Sequence, residues 1–390
     1  MSLKSILLST CLFCTPALIA QEPSDNAALT VTHGPYLQEL TADGVTIVWT
    51  TSRPSVGRVE YGVDELTKTA QTARHGLFDA DTTRHAVRIS GLKPGQKYRY
   101  RLVITEVVRF RDANTIFGST INSGVQTFTT LNPAPAEFSF IVTQDIHSDA
   151  VKYASLLDKV NLSNAAFVVL NGDTDNNPKT EAQIYSGHLD LSVDRFAKEK
   201  PFIAVRGNHE TRGTFARSLF DIYPHSSGRY YYSFSHGGVF FLVVDCGEDK
   251  QDSHSDYSGL NAFDAYRAEQ TEWIAKELQS SAAKSARYRI VLSHMPPTVS
   301  AELAGERPGY TMKMITEQWA PLYRGGNVDL VISGHTHNEG WQTPGPKKGD
   351  FAIFIGSNQE IETVKVTEKT IEIYAQNLKD GERKYQLTRR

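Results

Sequence analysis

The chain has 390 residues, 40% of them hydrophobic, and a formal net charge of −3. This length suits two domains or one large one, and the apolar content is sufficient for a proper core. The balanced charge and the lack of a Lys/Arg-rich run argue against a surface that binds nucleic acid.

The first twenty residues have the layout of a secretory signal peptide. Lys4 is followed by an apolar run, and Ala20 precedes a polar stretch. Because the run is too short to span a bilayer comfortably, we predict that residues 1–20 are removed and that the protein is periplasmic or secreted, without a membrane span. The alternatives are an uncleaved anchor or a buried helix. Removal would leave Cys246 as the single cysteine, so no intramolecular disulfide could form, which fits a bacterial periplasm.

The region 28–131 has the pattern of strands throughout. Segments such as VTIVWTTS and HAVRISGL alternate apolar and polar residues and are rich in Thr, Val and Ile. Strands of this length at short spacing indicate a β-sandwich. The segment LNPAPAEF then predicts a stiff connector to a second domain at 138–375, and residues 376–390 would form a C-terminal tail.

Six short apolar runs follow the connector, and each ends in polar residues. They are FSFIVTQDIH, AAFVVLNGDT, PFIAVRGNHE, GVFFLVVDCG, RYRIVLSHMP and VDLVISGHTH. Helical patterns such as AFDAYRAEQTEWIAKELQSS lie between several of them. Continuous apolar runs indicate strands that are buried on both faces, so we predict a layered α/β domain after the β-sandwich.

Side chains that commonly bind metals follow five of these runs. They are Asp145, His147, Asp173, Asn208, His209, His294, His335 and His337. Because ligands gather at the carboxyl ends of strands in open α/β sheets, we expect these side chains to meet at one edge of one sheet. Residues two apart in an extended segment face the same way, so each Asp-x-His or His-x-His pair should point to one side.

This set of side chains predicts a site for two metal ions. Imidazole and carboxylate ligands without thiolate suit Fe, Mn or Zn, either divalent or of mixed valence. There are more candidate ligands than one tetrahedral ion needs. Gly172, Gly207 and Gly334 each stand just before a candidate ligand, where a glycine allows a sharp turn and a close approach to the cluster.

The blocks DIH, GDTDN, GNHE, SH and GHTH resemble the five motif blocks of the calcineurin-like metallophosphoesterases, over about residues 138–375. This resemblance implies a layered α/β/β/α sandwich. The segments PYLQ, VTIVWTTSRPSVGRVEYG and ISGLKPGQKYRYRL resemble the fibronectin type III-like domain that precedes the catalytic domain in purple acid phosphatases.

The family pattern also implies a role for each residue. The first metal would be held by Asp145, His147 and His337. The second would be held by Asn208, His294 and His335, with Asp173 bridging the two. A hydroxide between the metals would attack phosphorus in line, and His209 would act near the leaving oxygen as a general acid or transition-state donor.

The sequence departs from true purple acid phosphatases at two positions. They carry glycine where this chain has His147, and an iron-binding tyrosine where it has Asn176. We therefore expect the protein not to be purple, with His147 supplying a ligand as in the D-x-H branch of the superfamily. Many members of that branch place an aspartate at the position of Asn176, paired with the histidine of GNHE, and Asn176 lacks that charge.

Four further residues are weaker candidates for the site. Arg206 and Arg212 flank GNHE and could grip phosphate oxygens, although structural roles are favoured for both. Glu210 is a candidate for supporting the metal ligands, and His254 lies in a loop that could wall the cleft.

We therefore predict an exported, dinuclear metal-dependent phosphohydrolase that acts on small phosphate esters, with phosphomonoesters favoured and no nucleic acid partner. One alternative is a phosphodiesterase or nucleotide pyrophosphatase that uses the same site. A remote alternative is a non-catalytic surface-binding protein, which would have no reason to keep every ligand position. The natural substrate and the oligomeric state stay open.

Overall fold

A computed structural model describes residues 28–133, 135, 137–297 and 308–389. The predicted signal peptide, residues 1–20, lies outside these residues. Within the described ranges, no helix is both long and apolar enough to cross a membrane.

The N-terminal region consists of strands, as predicted. They are β1 Val31–Gln38, β2 Gly44–Gly62, β3 Lys68–Ala70, β4 Ala73–Arg74, β5 Leu77–Phe78, β6 Thr82–Ser90, β7 Lys97–Arg109, β8 Ile116–Asn122 and β9 Gln126–Thr129. The first half of β2 pairs with β1 and β6, and its second half pairs with β7 and β3. Buried side chains of both halves, such as Trp49 and Tyr100, belong to one hydrophobic core. The long strand β2 therefore joins the two halves of the sandwich.

The second region contains two sheets of six strands each. The first sheet has the order β12-β11-β10-β19-β20-β21 and the second β13-β14-β15-β16-β18-β17. The strands are β10 Phe138–Thr143, β11 Ala165–Asn171, β12 Phe202–Val205, β13 Tyr232–His236, β14 Val239–Val244, β15 Tyr288–Ser293, β16 Leu330–Ser333, β17 Gly340–Gln342, β18 Ala352–Ile355, β19 Glu360–Val366, β20 Thr370–Asn377 and β21 Gly381–Thr388.

Short helices connect these strands. The α-helices are α1 Ala150–Leu157, α2 Glu181–Ile184, α3 Asp190–Ser192, α4 Phe263–Glu277, α5 Ser281–Ser285, α6 Tyr310–Met314 and α7 Ala320–Gly325. Turns of π-helix extend some of them, at Tyr185–Leu189, Val193–Ala197 and Ile315–Trp319. Short 3-10 helices lie at Leu162–Asn164, His209–Thr211, Ala216–Asp221 and Ser255–Tyr257.

The two sheets pack face to face between layers of helices. Phe140 and Phe167 of the first sheet contact Phe241 of the second, with ring centroids 5.5 Å apart in both pairs. The outer face of the first sheet packs against α1, and the outer face of the second packs against α4 and the turn that contains Trp319. The predicted α/β/β/α layering is confirmed.

The expectation of one common sheet edge is wrong. The strands β10, β11 and β12 run parallel in the first sheet, whereas β14, β15 and β16 run parallel in the second. Hydrophobic pattern alone does not tell which parallel strands share a sheet. The C-terminal segment also departs from a simple tail, because β21 pairs with β20 along its whole length and extends the first sheet.

The N-terminal region contacts the layered domain through side chains of β1 and β7. The buried hydroxyl of Tyr36 donates to the carbonyl oxygen of Ile222 at 2.8 Å. The hydroxyl of Tyr100 donates to the backbone carbonyl oxygen of Lys198 at 2.7 Å. The ring of His33 stacks on Tyr185 with centroids 3.7 Å apart. These contacts fix the sandwich against the outer helices of the first sheet.

Replacing Tyr36 by phenylalanine tests this interface. The substitution Tyr36→Phe leaves the Ile222 carbonyl without its buried donor, so we expect a loss of about 1 kcal/mol in the free energy of unfolding, measured by urea titration. Tyr61→Phe is the matched control, because the Tyr61 hydroxyl has no hydrogen-bond partner among the described residues. Equal losses in the two variants would show that the contact contributes nothing specific.

Candidate metal centre

The loops that follow the strands of both sheets bring the predicted ligands together. The ligand atoms of Asp145, His147 and His337 lie within 4.8 Å of one another, which is the set predicted for the first metal. The ligand atoms of Asp173, His294 and His335 form a second group of the same size. Metal binding by these residues stays a prediction, but their side chains occupy one place in the fold.

Short distances hold each group together, and Asp145 connects the first group to His294 of the second. His147 Nε2 lies 3.0 Å from His337 Nε2, and His294 Nε2 lies 3.1 Å from Asp173 Oδ2. Asp145 Oδ1 lies 3.5 Å from His337 Nε2 and 4.0 Å from His294 Nε2. The carboxylates of Asp145 and Asp173 therefore both lie within reach of His294, so the two groups form one cluster.

Several donor atoms in this cluster are buried without a hydrogen-bond partner. Among the described residues these include Asp145 Oδ1 and Asn208 Oδ1, while His294 Nε2 has only its contact with Asp173 Oδ2 at 3.1 Å. A buried polar atom without a partner is costly, and a bound cation would satisfy both of these oxygen atoms. The donors are oxygens and imidazole nitrogens, which suit Fe, Mn or Zn. The residues present therefore fit a dinuclear centre.

The protonation of the histidines also fits metal binding. Burial lowers the pKa of His335 to about 4 and that of His147 to about 4, so both are neutral near pH 7. Burial opposes a charge on His294, but the carboxylates of Asp173 and Asp145 outweigh it and raise the pKa of His294 to about 10. The proton on His294 thus supplies positive charge between these carboxylates, as a bound metal ion would. Metal binding requires the release of this proton.

The backbone is left-handed at five of the predicted ligands. The φ angles are 54° at Asp145, 56° at His147, 50° at Asp173, 74° at His335 and 59° at His337. This conformation is uncommon for residues other than glycine and clusters at functional sites. The expectation that strand alternation aligns the Asp-x-His and His-x-His pairs is wrong, because β10 and β16 have ended before these pairs begin.

All three predicted glycines are required by close packing, since a Cβ atom at Gly172 would overlap Nδ1 of His294. A Cβ atom at Gly207 would overlap both the backbone nitrogen and Oδ1 of Asp173. A Cβ atom at Gly334 would lie 2.8 Å from Asp145 Oδ2. Since real Cβ atoms do not approach so closely, a larger residue at Gly207 or Gly334 would displace a carboxylate of the cluster.

Glu210 connects the loop after β11 to the loop after β12. Its buried carboxylate accepts hydrogen bonds from the backbone N–H groups of Gly207 (2.7 Å), Asp173 (2.9 Å) and Asp175 (2.7 Å). The hydroxyl of Thr174 also donates to it, at 3.1 Å. The structure thus gives Glu210 the supporting position that the sequence suggests.

His209 lies beside the cluster and is oriented by Asn176. Its Nδ1 lies 2.9 Å from Asn176 Oδ1, so Nδ1 carries the proton and Nε2 faces the carboxylate of Asp173 at 3.9 Å. His209 also forms a group with His147 and Asp173 whose ligand atoms are within 4.8 Å. Proximity alone therefore does not separate a proton donor from a ligand, and the role of His209 stays a prediction.

Buried carboxylates hold both arginines that flank GNHE. Arg206 Nη2 lies 2.6 Å from Asp245 Oδ2. Arg212 binds Glu248 through Nε at 2.9 Å and Nη2 at 2.6 Å, which leaves its Nη1 3.4 Å from His209 Nε2. These pairs agree with the favoured structural roles and leave only Arg212 facing the cluster.

His254 stands apart from these contacts. Its ring accepts a hydrogen bond from the backbone N–H of Asp256 at 3.3 Å, which caps the 3-10 helix at Ser255–Tyr257.

Sequence reasoning missed several residues that support the site. Asp175 Oδ1 and His188 Nδ1 form a fully buried pair at 3.3 Å, and His188 Nε2 bonds Tyr223 at 2.7 Å. Glu248 orients Arg212 in the same way. Asp175, the second aspartate of GDTDN, could have been recognised in the sequence as a candidate. Its partner His188 lies in a distant helical segment, and no local sequence pattern connects the two residues.

The chain belongs to the calcineurin-like phosphoesterase family, whose model matches residues 138–339. The chain is 29% identical to Purple acid phosphatase 15 of Arabidopsis thaliana over 157 residues, which cover 37% of this chain and 26% of that protein. It is 26% identical to the bovine (Bos taurus) Serine/threonine-protein phosphatase CPPED1 over 139 residues, covering 35% of this chain and 41% of that protein. The chain thus spans less than half the length of these relatives.

Two solved structures are similar in fold. Purple acid phosphatase PPD1 from yellow lupin (Lupinus luteus) matches with a TM-score of 0.67 at 14% identity, covering 91% of this chain and 74% of that chain. The structure of PhoD matches with a TM-score of 0.58 at 14% identity, covering 91% and 89%. The family model and the relatives confirm the predicted resemblance to calcineurin-like phosphoesterases and purple acid phosphatases.

Replacing Gly207 by alanine tests the cluster without an activity assay. Because the added methyl group overlaps Asp173, we expect Gly207→Ala to lose at least half of the metal bound per chain, measured by inductively coupled plasma mass spectrometry. Gly124→Ala is the matched control, since its Cβ would meet only the Gln126 side chain at 3.8 Å. Full metal content in Gly207→Ala would contradict the assigned position of Asp173.

Proposed function

We propose that this chain is an exported dinuclear metal phosphohydrolase that acts on phosphomonoesters. The observation that carries the proposal is the meeting of six predicted ligand side chains from the loops of two sheets, with buried oxygen atoms of Asp145 and Asn208 that lack other partners. Export is proposed from the sequence of residues 1–20. We also propose a fibronectin type III-like domain at 28–131 and a catalytic domain at 138–375.

Each predicted ligand has a place in the proposed centre. Asp145, His147 and His337 would hold one ion, Asn208, His294 and His335 the other, and Asp173 both. Two bound cations would neutralise the phosphate oxygens and make water a stronger nucleophile at neutral pH.

The protein's own side chains orient the ester and move the proton. His209 Nε2 is directed towards the cluster because Asn176 holds Nδ1 at 2.9 Å. We place the leaving oxygen of the ester near this nitrogen. Arg212 Nη1, fixed by Glu248, can contact a phosphate oxygen on the same side. In the hydrolysis an oxygen from water bonds to phosphorus and the P–O bond to the alcohol breaks. His209 delivers a proton from Nε2 to the alcohol oxygen, which requires the imidazolium form because Nδ1 already donates to Asn176, and the ring then regains its proton from solvent.

Metal content and substrate preference test the proposal together. We expect about two metal ions per purified chain and a higher kcat/KM for p-nitrophenyl phosphate than for bis-p-nitrophenyl phosphate, measured with added Mn, Zn or Fe. Two metals with faster diester turnover would move the protein to the phosphodiesterase alternative. Bound metal with no turnover of any phosphate ester would favour the non-catalytic alternative.

Substitution of His209 separates proton transfer from metal binding. We expect His209→Asn to lower kcat by about 10²- to 10⁴-fold, the typical contribution of a general acid, while the metal content stays unchanged. His75→Asn is the matched control: His75 is exposed on the hairpin between β4 and β5, and asparagine tolerates its left-handed backbone. Loss of metal in His209→Asn would instead make His209 a ligand.

A further inference from the structure

A groove leads away from Arg212, a neighbour of His209, across the surface of the layered domain. It consists of two adjoining cavities of about 360 Å³ and 440 Å³. Four residues line both cavities, which are Thr211, Arg217, Leu260 and Asn261. The smaller cavity begins at Arg212, whose Nη1 lies 3.4 Å from His209 Nε2. The groove therefore begins one side chain away from His209, at the arginine that contacts it.

The cavity nearest to His209 is polar. Charged side chains of both signs line it, including Arg212, Lys250 and Asp256, and Tyr257 adds a phenol. Arg212 is held by Glu248, and Lys250 lies 3.8 Å from Asp256. Such a mixture of donors and acceptors suits a neutral linker that carries hydroxyl groups rather than an apolar chain.

The more distant cavity is aromatic. Phe220, Tyr230, Phe263 and Tyr266 line it, and each of these rings is only partly buried. The guanidinium of Arg206 lies against three of the rings, 4.1 Å from the centroid of Tyr230, 5.6 Å from Phe263 and 5.8 Å from Tyr266. The cavity thus presents ring faces around a fixed cation.

Asp245 holds these walls in place. Its carboxylate accepts hydrogen bonds from Arg206 at 2.6 Å and from the Tyr266 hydroxyl at 2.8 Å. Leu260 stands at the rim of both cavities with 71% of its surface exposed. A wall that is already ordered loses little entropy when a flat group stacks on it.

We propose that this groove binds the leaving group of a phosphomonoester whose alcohol carries a hydroxylated linker and, beyond it, a flat aromatic ring. A nucleoside monophosphate has this order of parts: phosphate at the cluster, sugar in the polar cavity and base in the aromatic cavity. The inference rests on the proposed function and adds a substrate class to it. Hydrolysis breaks the P–O bond to the sugar oxygen, water supplies the new oxygen on phosphorus, and the sugar oxygen receives the proton.

The test compares two substrates that differ only in the base. We expect kcat/KM for adenosine 5′-monophosphate to exceed that for ribose 5-phosphate by about tenfold or more, as stacking of one base on aromatic side chains would give. In Tyr230→Ala and Ala262→Trp this ratio should fall towards one. Ala262 is exposed and lines the aromatic cavity, so the larger side chain blocks the cavity without disturbing the core. Val108→Trp, at an exposed position of β7, should keep the wild-type ratio.

Turnover of p-nitrophenyl phosphate separates this inference from the proposed function. A wild-type ratio near one, or an unchanged ratio in Ala262→Trp, overturns the groove as a leaving-group site if p-nitrophenyl phosphate is still hydrolysed. If the wild-type protein hydrolyses none of the three substrates with two metals bound, the proposed function fails and the inference fails with it. Circular dichroism verifies that each variant, Tyr230→Ala included, is folded.

Discussion

The position of the Asp173 carboxylate is the constraint on which the rest of the site depends. Asp173 has a left-handed backbone immediately after β11, and Gly207 leaves the space that its side chain fills. Its Oδ1 accepts the backbone N–H of His209 at 2.9 Å, and its Oδ2 lies 3.1 Å from His294 Nε2. One carboxylate thus contacts loops from both sheets, which is the position that the proposed bridging role requires. Glu210 keeps the backbone of that loop in place from behind.

Packing of the two sheets explains why these loops can be held so closely. Edge-to-face aromatic contacts such as that of Phe140 with Phe241 fix the sheets against each other, so the ends of β10, β11, β15 and β16 cannot drift apart. The left-handed turns at the ligands carry a conformational cost that the rigid frame can bear. Packing of the core therefore stabilises the protein enough to tolerate left-handed backbone conformations and unpaired polar atoms at one site. Such a concentration of unfavourable features is typical of a binding site.

The sequence was sufficient to predict the strands that carry the candidate ligands and most of the clustered side chains, and the family resemblance implied the layering. Runs such as AAFVVL are apolar throughout because they are buried on both faces, and the polar residues after them stand out for that reason. The division of the strands between two sheets was not predictable, because it depends on contacts between residues far apart in the chain. The same holds for the pairing of Asp175 with His188 and of Arg212 with Glu248. The left-handed backbone at Asp145 and His337 was also missed, since it arises from loop packing and not from residue type.

The most direct test of the central claim is X-ray diffraction from crystals of the metal-loaded protein, collected at the absorption edges of Mn, Fe and Zn. The account predicts two anomalous peaks with the Asp173 carboxylate between them, one beside Asp145, His147 and His337 and the other beside Asn208, His294 and His335. Ligand distances should be about 2.0–2.2 Å. A single peak, or a pair of peaks of which Asp173 contacts only one, would contradict the dinuclear centre.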